Sequence, residues 1–567
     1  NQCSILFWSL GNESGFGPNL QEAGRWVKSC DPTRLVHYES VHLWGEEHPY
    51  DESMLDVWSR MYASPAEIDA YFAAPGEKKP FVQCEFVHAM GNGPGDIEEY
   101  MEQIYKYDGF CGGFVWEWCD HATYEGRAEN GKEMFHYGGD AGEFPHDGNF
   151  CMDGLVYPDR RPHEGLYEWK NAIRPIRAEL TDRKKGIIRL HNKLDFRNLK
   201  DYIYLRYEIK KNGVLMEEGI LDELEAEPHG FMDITLKLPA KTEERYYLKL
   251  TYYQKAKDKL TQVGHEMGFD QFALSEEKEK EPAFENKGEP LTLTETPEAF
   301  CLGNEFLHYE FGKKEGNFIK LERHGEALVT APVEWNVYRA PTDNDRNIVN
   351  VWKEAGYDRS VVKVYGCEAK LRQGIVTITC DFSIAAVFIQ PFLRLHAVWT
   401  VNGDGEIRVT VDGKRDTAFP FLPRFGLKFC IPEKQQEVAY FGYGPHESYC
   451  DKHQASYMDV FHTTVPELHR DYVRPQENGS HYNCFTVKVG NLTARGRKPF
   501  SFNASEYTIE ELATKKHNYE LEKAGCVVVC TDYKQSGVGS NSCGPQLLPQ
   551  YRFDEEEFVW EMLYCFE

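Results

Sequence analysis

The sequence predicts a multidomain protein. A parallel α/β sheet or barrel comes first, a small β-sandwich follows, and a large antiparallel β-sandwich ends the chain. Three observations predict it. Residues 1–174 alternate apolar runs with segments of helical period. From residue 176 the helical period gives way to alternating strands joined by tight turns. From 291 onward the chain is again mostly strand-like, with Gly-rich turns and two short helical inserts.

In the first region the apolar runs are Ile5–Leu10, Leu35–Tyr38, Leu55–Ala63, Pro80–Phe86 and Gly112–Trp118. They do not alternate, as suits strands buried on both faces of a parallel sheet. Between several of them lie helical stripes, Leu20, Ala23, Trp26 and Val27, then Ile97, Tyr100, Met101, Ile104 and Tyr105. About five strands are expected over 1–175. In the second region, 176–275, Tyr202–Ile209 and Val214–Leu221 flank Lys211-Asn212-Gly213, a strong hairpin signal, and Arg245–Tyr253 is a further strand candidate. Residues 276–290 (EEKEKEPAFENKGEP) read as a charged linker. In 291–567, Val376–Cys380, Ala397–Val401, Ile407–Val411 and Phe558–Phe566 are strand-like. Helices are expected at Val349–Ala355 and after Thr508, where Thr508 and Glu511 have capping-box spacing.

Composition excludes several classes. With 567 residues, 41% hydrophobic and 27% charged, the chain has ample material for large cores and is not a disordered sequence. Its 64 basic against 91 acidic residues give a formal charge of −27, which repels phosphate backbones and argues against nucleic acid as a partner. No apolar run reaches the ~18 residues of a membrane span. The chain opens Asn1-Gln2-Cys3-Ser4 without Met or a signal-peptide core, and is expected to be a fragment lacking its N-terminal part. Its 16 cysteines form no CxxC pair and are expected to be reduced core thiols of a cytoplasmic protein.

Two acidic residues carry the chemistry. Glu13 follows the first apolar run at once, in Trp8-Ser9-Leu10-Gly11-Asn12-Glu13, and Glu85 sits near the C-terminal end of another, Val82-Gln83-Cys84-Glu85-Phe86. In barrels the C-terminal strand ends surround one mouth, so residues far apart in sequence meet there. A Glu inside an apolar run is rarely left unpaired, so either a structural ion pair or a functional role is expected. Two carboxylates facing one pocket suit glycoside cleavage: one attacks the sugar carbon, and the other protonates the leaving oxygen and then activates water. A separation of roughly 5 Å would mean retention of configuration and a wider one inversion. Trp116, at a strand end, could stack on a sugar face, and Tyr62 could hydrogen-bond a carboxylate, though a single Trp or Tyr is more often core. Zinc at Cys84/His88 or Cys119/His121, and phosphate at Gly91–Gly95, lack the matching partners.

WSLGNESGFG (8–17), CEFVHAMGN (84–92), GGFVWEWCD (112–120) and YGGDAGEFPHDGNFCMDGL (137–155) together resemble the large bacterial β-galactosidases of glycoside hydrolase family 2. The likeness continues through YRAPTDND (338–345), FGYGPHESY (441–449) and SGVGSNSCGP (536–545), and so covers essentially the whole chain. The resemblance implies a partial TIM barrel holding only the C-terminal strands. An immunoglobulin-like sandwich and a large sandwich like that of galactose mutarotases follow. It implies Glu13 as acid/base and Glu85 as nucleophile of a retaining double displacement on terminal β-D-galactose. Asn12 would bond the sugar 2-hydroxyl, Tyr62 would orient Glu85, His88 would contact galactose hydroxyls, and Trp116 would floor the galactose site. Magnesium would be held in part by Glu13, and sodium by the Phe150 carbonyl and the Asp153 side chain.

Three departures accompany the resemblance. The first three barrel strands, two N-terminal domains and the other two magnesium ligands have no counterpart here. Asp153 stands where lactose-cleaving relatives have Asn. Cys543 stands where some members place a Trp against the second sugar. The expected function is hydrolysis of β-galactosides, with β-galactoside oligosaccharides as partners, neither nucleic acid nor membrane, and a homo-oligomeric parent as in many large members. The alternatives are a catalytically inactive fragment acting as a carbohydrate-binding or structural module, or another exo-β-glycosidase of the same family.

Overall fold

The structure is a computed structural model that describes residues 3–41, 49–240, 244–275 and 281–567. It divides into two compact units: Asn1–Leu166 with Asp343–Asn347 and Val538–Pro549, and Tyr167–Thr342 with Ile348–Gly537 and Gln550–Glu567.

The first unit begins with five strands in two parallel sheets, each strand followed by a helix or a loop: β1 (Phe7–Ser9), β2 (Leu35–His37), β3 (Trp58–Met61), β4 (Phe81–Phe86) and β5 (Phe110–Val115). β1 pairs with β2, and β3-β4-β5 form a parallel sheet. The expected run Leu55–Ala63 is a strand only over Trp58–Met61; Met54, Leu55 and Val57 are buried before the strand begins. Helix α1 (Pro18–Cys30) starts with Pro18, whose missing N–H costs nothing in the first turn, and buries Gly24 against Met54 and Leu10. Helix α2 (Pro65–Ala73) is fixed by a full capping box between Ser64 and Glu67. Helix α3 (Ile97–Lys106) buries Ile97, Tyr100 and Met101 on one stripe. Aromatic contacts Phe81–Phe110 (4.9 Å) and Phe86–Tyr100 (5.5 Å) tie α3 and the strands together. A hairpin, β6 (Thr123–Arg127) with β7 (Glu133–His136), follows the fifth strand.

The second unit begins with two small antiparallel sheets. One has four strands around Ile203–Lys211 and Tyr246–Gln254, and the other has three strands around Ile187–Asn192. Ile188, Leu190, Leu205, Leu248 and Leu250 fill the core between them. The hairpin at Asn212-Gly213 has both residues at positive φ (46° and 81°), the backbone a tight two-residue turn needs. The rest of the unit is a five-stranded sheet over 292–327 and a twelve-stranded antiparallel sheet reaching Phe566, around Trp335, Trp399 and Phe425. Both expected helices are present, at Val349–Glu354 and Ile509–Thr514. The Thr508 hydroxyl accepts from the Glu511 N–H, but the Glu511 carboxylate is turned to the Glu522 N–H (2.8 Å), so the box is half formed. Of the expected linker, 276–280 lies outside the described residues and 281–290 contains neither helix nor strand.

Candidate active site

The C-terminal ends of β1, β3 and β4 each turn sharply. Glu13, Tyr62 and Val87 have φ of 46°, 50° and 43°, the left-handed region in which a side chain strains its own backbone. Such conformations persist where surrounding bonds over-determine them. Tyr62 N–H donates to the Glu85 carbonyl (2.8 Å), and the Tyr62 hydroxyl donates to Glu85 Oε2 (2.8 Å). Backbone and side chain of one residue thus grip the same neighbour.

Glu85 is half-buried, and burial raises its pKa above the ordinary carboxylate value. The Tyr62 hydrogen bond opposes that shift, while the negative charges of Glu13, Glu39 and Asp153 add to it. Glu13, far away in sequence, is therefore an electrostatic neighbour of Glu85. Burial and the Glu85 carboxylate push the Tyr62 phenol far up, so it stays a donor at any working pH. The Cys543 thiol is within hydrogen-bonding reach of the same hydroxyl, and burial raises its pKa as well.

On the other flank, Asp153 Oδ2 accepts from Trp116 Nε1 (3.1 Å) and lies 3.5 Å from His88 Nε2. His88 is buried, with Nδ1 2.8 Å from the Ser542 hydroxyl and its ring 5.5 Å from Phe150. The Trp116 ring is 39% exposed, enough to offer a face to a ligand. Asn12 stands exposed beside Glu13, its carbonyl accepting from Ser14 Oγ (2.8 Å). The structure thus gathers Glu13, Glu85, Tyr62, Cys543, His88, Trp116, Phe150 and Asp153, with Asn12 next to them in the chain.

Two groups at the site escape sequence reasoning. Glu39 is buried, and its Oε1 accepts from the Glu13 N–H (2.8 Å). Its signal was a Glu directly after the run Leu35–Tyr38. Asn344, in a short 3-10 helix (Asp343–Asp345), accepts from the N–H of Ser542, distant in sequence (3.1 Å), and donates to the Asn92 carbonyl (3.4 Å). Both lie in stretches that carry the family resemblance, YRAPTDND and SGVGSNSCGP, but no periodicity or spacing singles out these two residues.

For metals, Asp153 Oδ1 is buried without a hydrogen-bond partner among the described residues, a hard oxygen that suits sodium. Among the described residues no group of three or more His, Cys, Asp or Glu side chains is arranged to hold a metal ion, so the residues present do not form a magnesium cage.

Comparison with known proteins matches three stretches of the chain. Residues 1–178 match the family model "Glycosyl hydrolases family 2, TIM barrel domain", 188–275 match "Beta-galactosidase, domain 4", and 303–563 match "Beta galactosidase small chain". Similar proteins include the β-galactosidase of Actinobacillus pleuropneumoniae, 44% identical over 98% of this chain and 55% of that one. Those of Staphylococcus xylosus (37%; 98% and 56%) and Priestia megaterium (30%; 95% and 52%) are also similar. The chain spans about half the length of the curated relatives it matches. Among solved structures, a galactose 1-epimerase from Lactobacillus acidophilus NCFM overlays 49% of this chain and 98% of its own, at a TM-score of 0.29 and 8% identity. Domain by domain, the chain is thus similar to the β-galactosidases of glycoside hydrolase family 2 over most of its length.

Proposed function

We propose that this site serves retaining hydrolysis of terminal β-D-galactose from β-galactosides. The observation that carries the reading is the pairing of Glu13 and Glu85 at the ends of β1 and β4, close enough that the charge of one raises the pKa of the other. In the first step Glu85 attacks the anomeric carbon as Glu13 gives its proton to the departing glycosidic oxygen, and the C–O bond to the aglycone breaks. In the second, Glu13 takes a proton from water, and that water displaces the Glu85 carboxylate from the sugar. The two inversions restore the β configuration.

Tyr62 fixes which Glu85 oxygen attacks, because its hydrogen bond occupies Oε2 and leaves Oε1 for the sugar. Trp116 offers a ring face, held by Asp153, and His88 a ring anchored by Ser542, for contacts to the galactose. Asn12 is placed to meet the 2-hydroxyl, and Cys543 borders the aglycone side. Sodium, when bound, would take Asp153 Oδ1 and the Phe150 carbonyl and supply a cation to sugar hydroxyls. For magnesium, Glu13 would supply one ligand, and the described residues offer no cage around it. Sixteen free thiols, exposed and buried, support a reducing, cytoplasmic setting.

A second reading concerns the 567-residue chain by itself, as a catalytically inactive carbohydrate-binding or structural piece. What favours it is the exposed apolar surface of the first unit, where Leu6, Trp26, Phe114 and Trp118 are each at least 60% exposed. β5 also has no partner on its outer edge among the described strands. Turnover of a chromogenic β-galactoside by the full-length protein and by this chain separates the two. The reading expects hydrolysis by the former and little by the latter. Turnover of another β-glycoside in preference to β-galactosides would replace galactose as the substrate.

A further inference from the structure

Glu39 lies two residues beyond β2 and is 2% exposed. Its Oε1 accepts the Glu13 N–H at 2.8 Å and also receives the Ser40 hydroxyl, while Oε2 is buried with no hydrogen-bond partner among the described residues. The residue before it does related work: the Tyr38 hydroxyl donates to the Gly15 carbonyl (2.6 Å) and accepts from the Ser14 N–H (3.3 Å). The end of β2 therefore holds the turn 13–15 at three points, and Glu13 sits in that turn with its φ at 46°.

A neutral side chain could do such clamping. At the next strand pair Gln83 does so, accepting the Ala63 N–H (2.8 Å) and donating to the Ala63 carbonyl (3.0 Å). At Glu39 the chain instead buries a carboxylate with one oxygen unsatisfied, which carries a desolvation cost that a purely structural clamp could avoid. A hydrogen bond to a charged acceptor is about twice as strong as a neutral one, and the strained residue it holds is the one the proposed reaction needs placed most closely.

We infer that Glu39 is a positioning residue for the reaction, holding the backbone of Glu13 so that the Glu13 carboxyl meets the glycosidic oxygen. The inference rests on the reading of Glu13 as acid/base. Glu39 itself touches no reacting atom.

The test compares Glu39→Leu and Glu39→Gln with Glu13→Ala in the full-length protein. It uses aryl β-galactosides whose leaving groups run from 2,4-dinitrophenolate to phenolate. kcat/KM reports the first step, and only poor leaving groups need a proton from Glu13. For Glu39→Leu, kcat/KM should fall on the order of 100-fold for phenyl galactoside and under about 3-fold for the dinitrophenyl substrate. Glu39→Gln, which keeps an acceptor, should recover about 10-fold of the phenyl galactoside loss. An equal loss across all leaving groups, or none in Glu39→Leu, would overturn the inference. If Glu39→Leu fails to fold, the same leaving-group dependence, smaller in size, is required of Glu39→Gln, and its absence overturns the inference equally. Should Glu13→Ala show no leaving-group dependence, the acid/base reading itself falls. Dependence in Glu13→Ala without any in the Glu39 variants would sink the positioning role alone.

Discussion

The hydroxyl of Tyr62 donates to Oε2 of Glu85 at 2.8 Å, while the N–H of the same tyrosine donates to the Glu85 carbonyl at 2.8 Å. The two bonds lock a strand-end carboxylate to its neighbour, and they fix the sign of what happens when one is removed. A hydrogen bond to the charged form lowers a carboxyl pKa, so Tyr62 holds Glu85 down against burial. Tyr62→Phe should therefore raise the Glu85 pKa and move the acid limb of the kcat/KM profile to higher pH. A pH–rate series on both proteins checks this; an acid limb that stays or moves to lower pH would contradict it.

Glu13→Gln keeps the shape of the side chain and removes its proton. Hydrolysis of a β-galactoside with a poor leaving group should fall about 10²–10⁴-fold. Steady-state rates on phenyl galactoside measure it, and an unchanged rate would end the acid/base assignment.

Asp153 accepts from Trp116 and stands beside His88, with no hydrogen-bond partner for its second oxygen among the described residues. Asp153→Asn retains an acceptor for Trp116 but removes a negative charge from the site. The sodium concentration giving half-maximal activity should rise, and the pKa values of Glu85 and Glu117, both raised in part by Asp153, should fall. Sodium titration of activity in wild type and variant tests it; coincident curves would remove Asp153 from the proposed sodium site.

Glu168, in the second unit, is buried and accepts the N–H groups of Gln454 and Ala455 (2.8 Å each). Burial pushes its pKa up to about 7. A carboxyl whose folded pKa lies above its unfolded value, near 4.3, binds more protons when folded, so stability declines as pH rises from about 4 to about 7. Glu168→Gln should flatten that part of the curve. Melting temperatures between pH 4.5 and 7.5 would show a smaller slope for the variant, and an equal slope would contradict the account.

Much of this architecture was legible because it rests on local chemistry. Asn212-Gly213 supplied both positive φ values of its hairpin, and the stripe Leu20, Ala23, Trp26 and Val27 marked α1. The run Leu55–Ala63 misled on length, since apolar residues buried in a loop look in sequence like apolar residues buried in a strand. Thr508 and Glu511 have the spacing of a reciprocal cap, yet Glu511 is drawn to the Glu522 N–H. At the site, Glu85 is marked by its place inside an apolar run, and Glu39, one place beyond such a run, is not. Ser542 and Asn344 lie in stretches that carry the family resemblance, yet nothing local ties them to the site, because what places them near His88 and Asn92 is the return of segments distant in sequence, which no local period records.

The most direct measurement is covalent capture of the attacking residue. A 2-fluoro β-galactoside with an activated leaving group, incubated with the full-length protein and followed by peptide mass spectrometry, should leave the fluorosugar on Glu85. A label on any other residue, or complete inactivation with no sugar attached, would contradict the account.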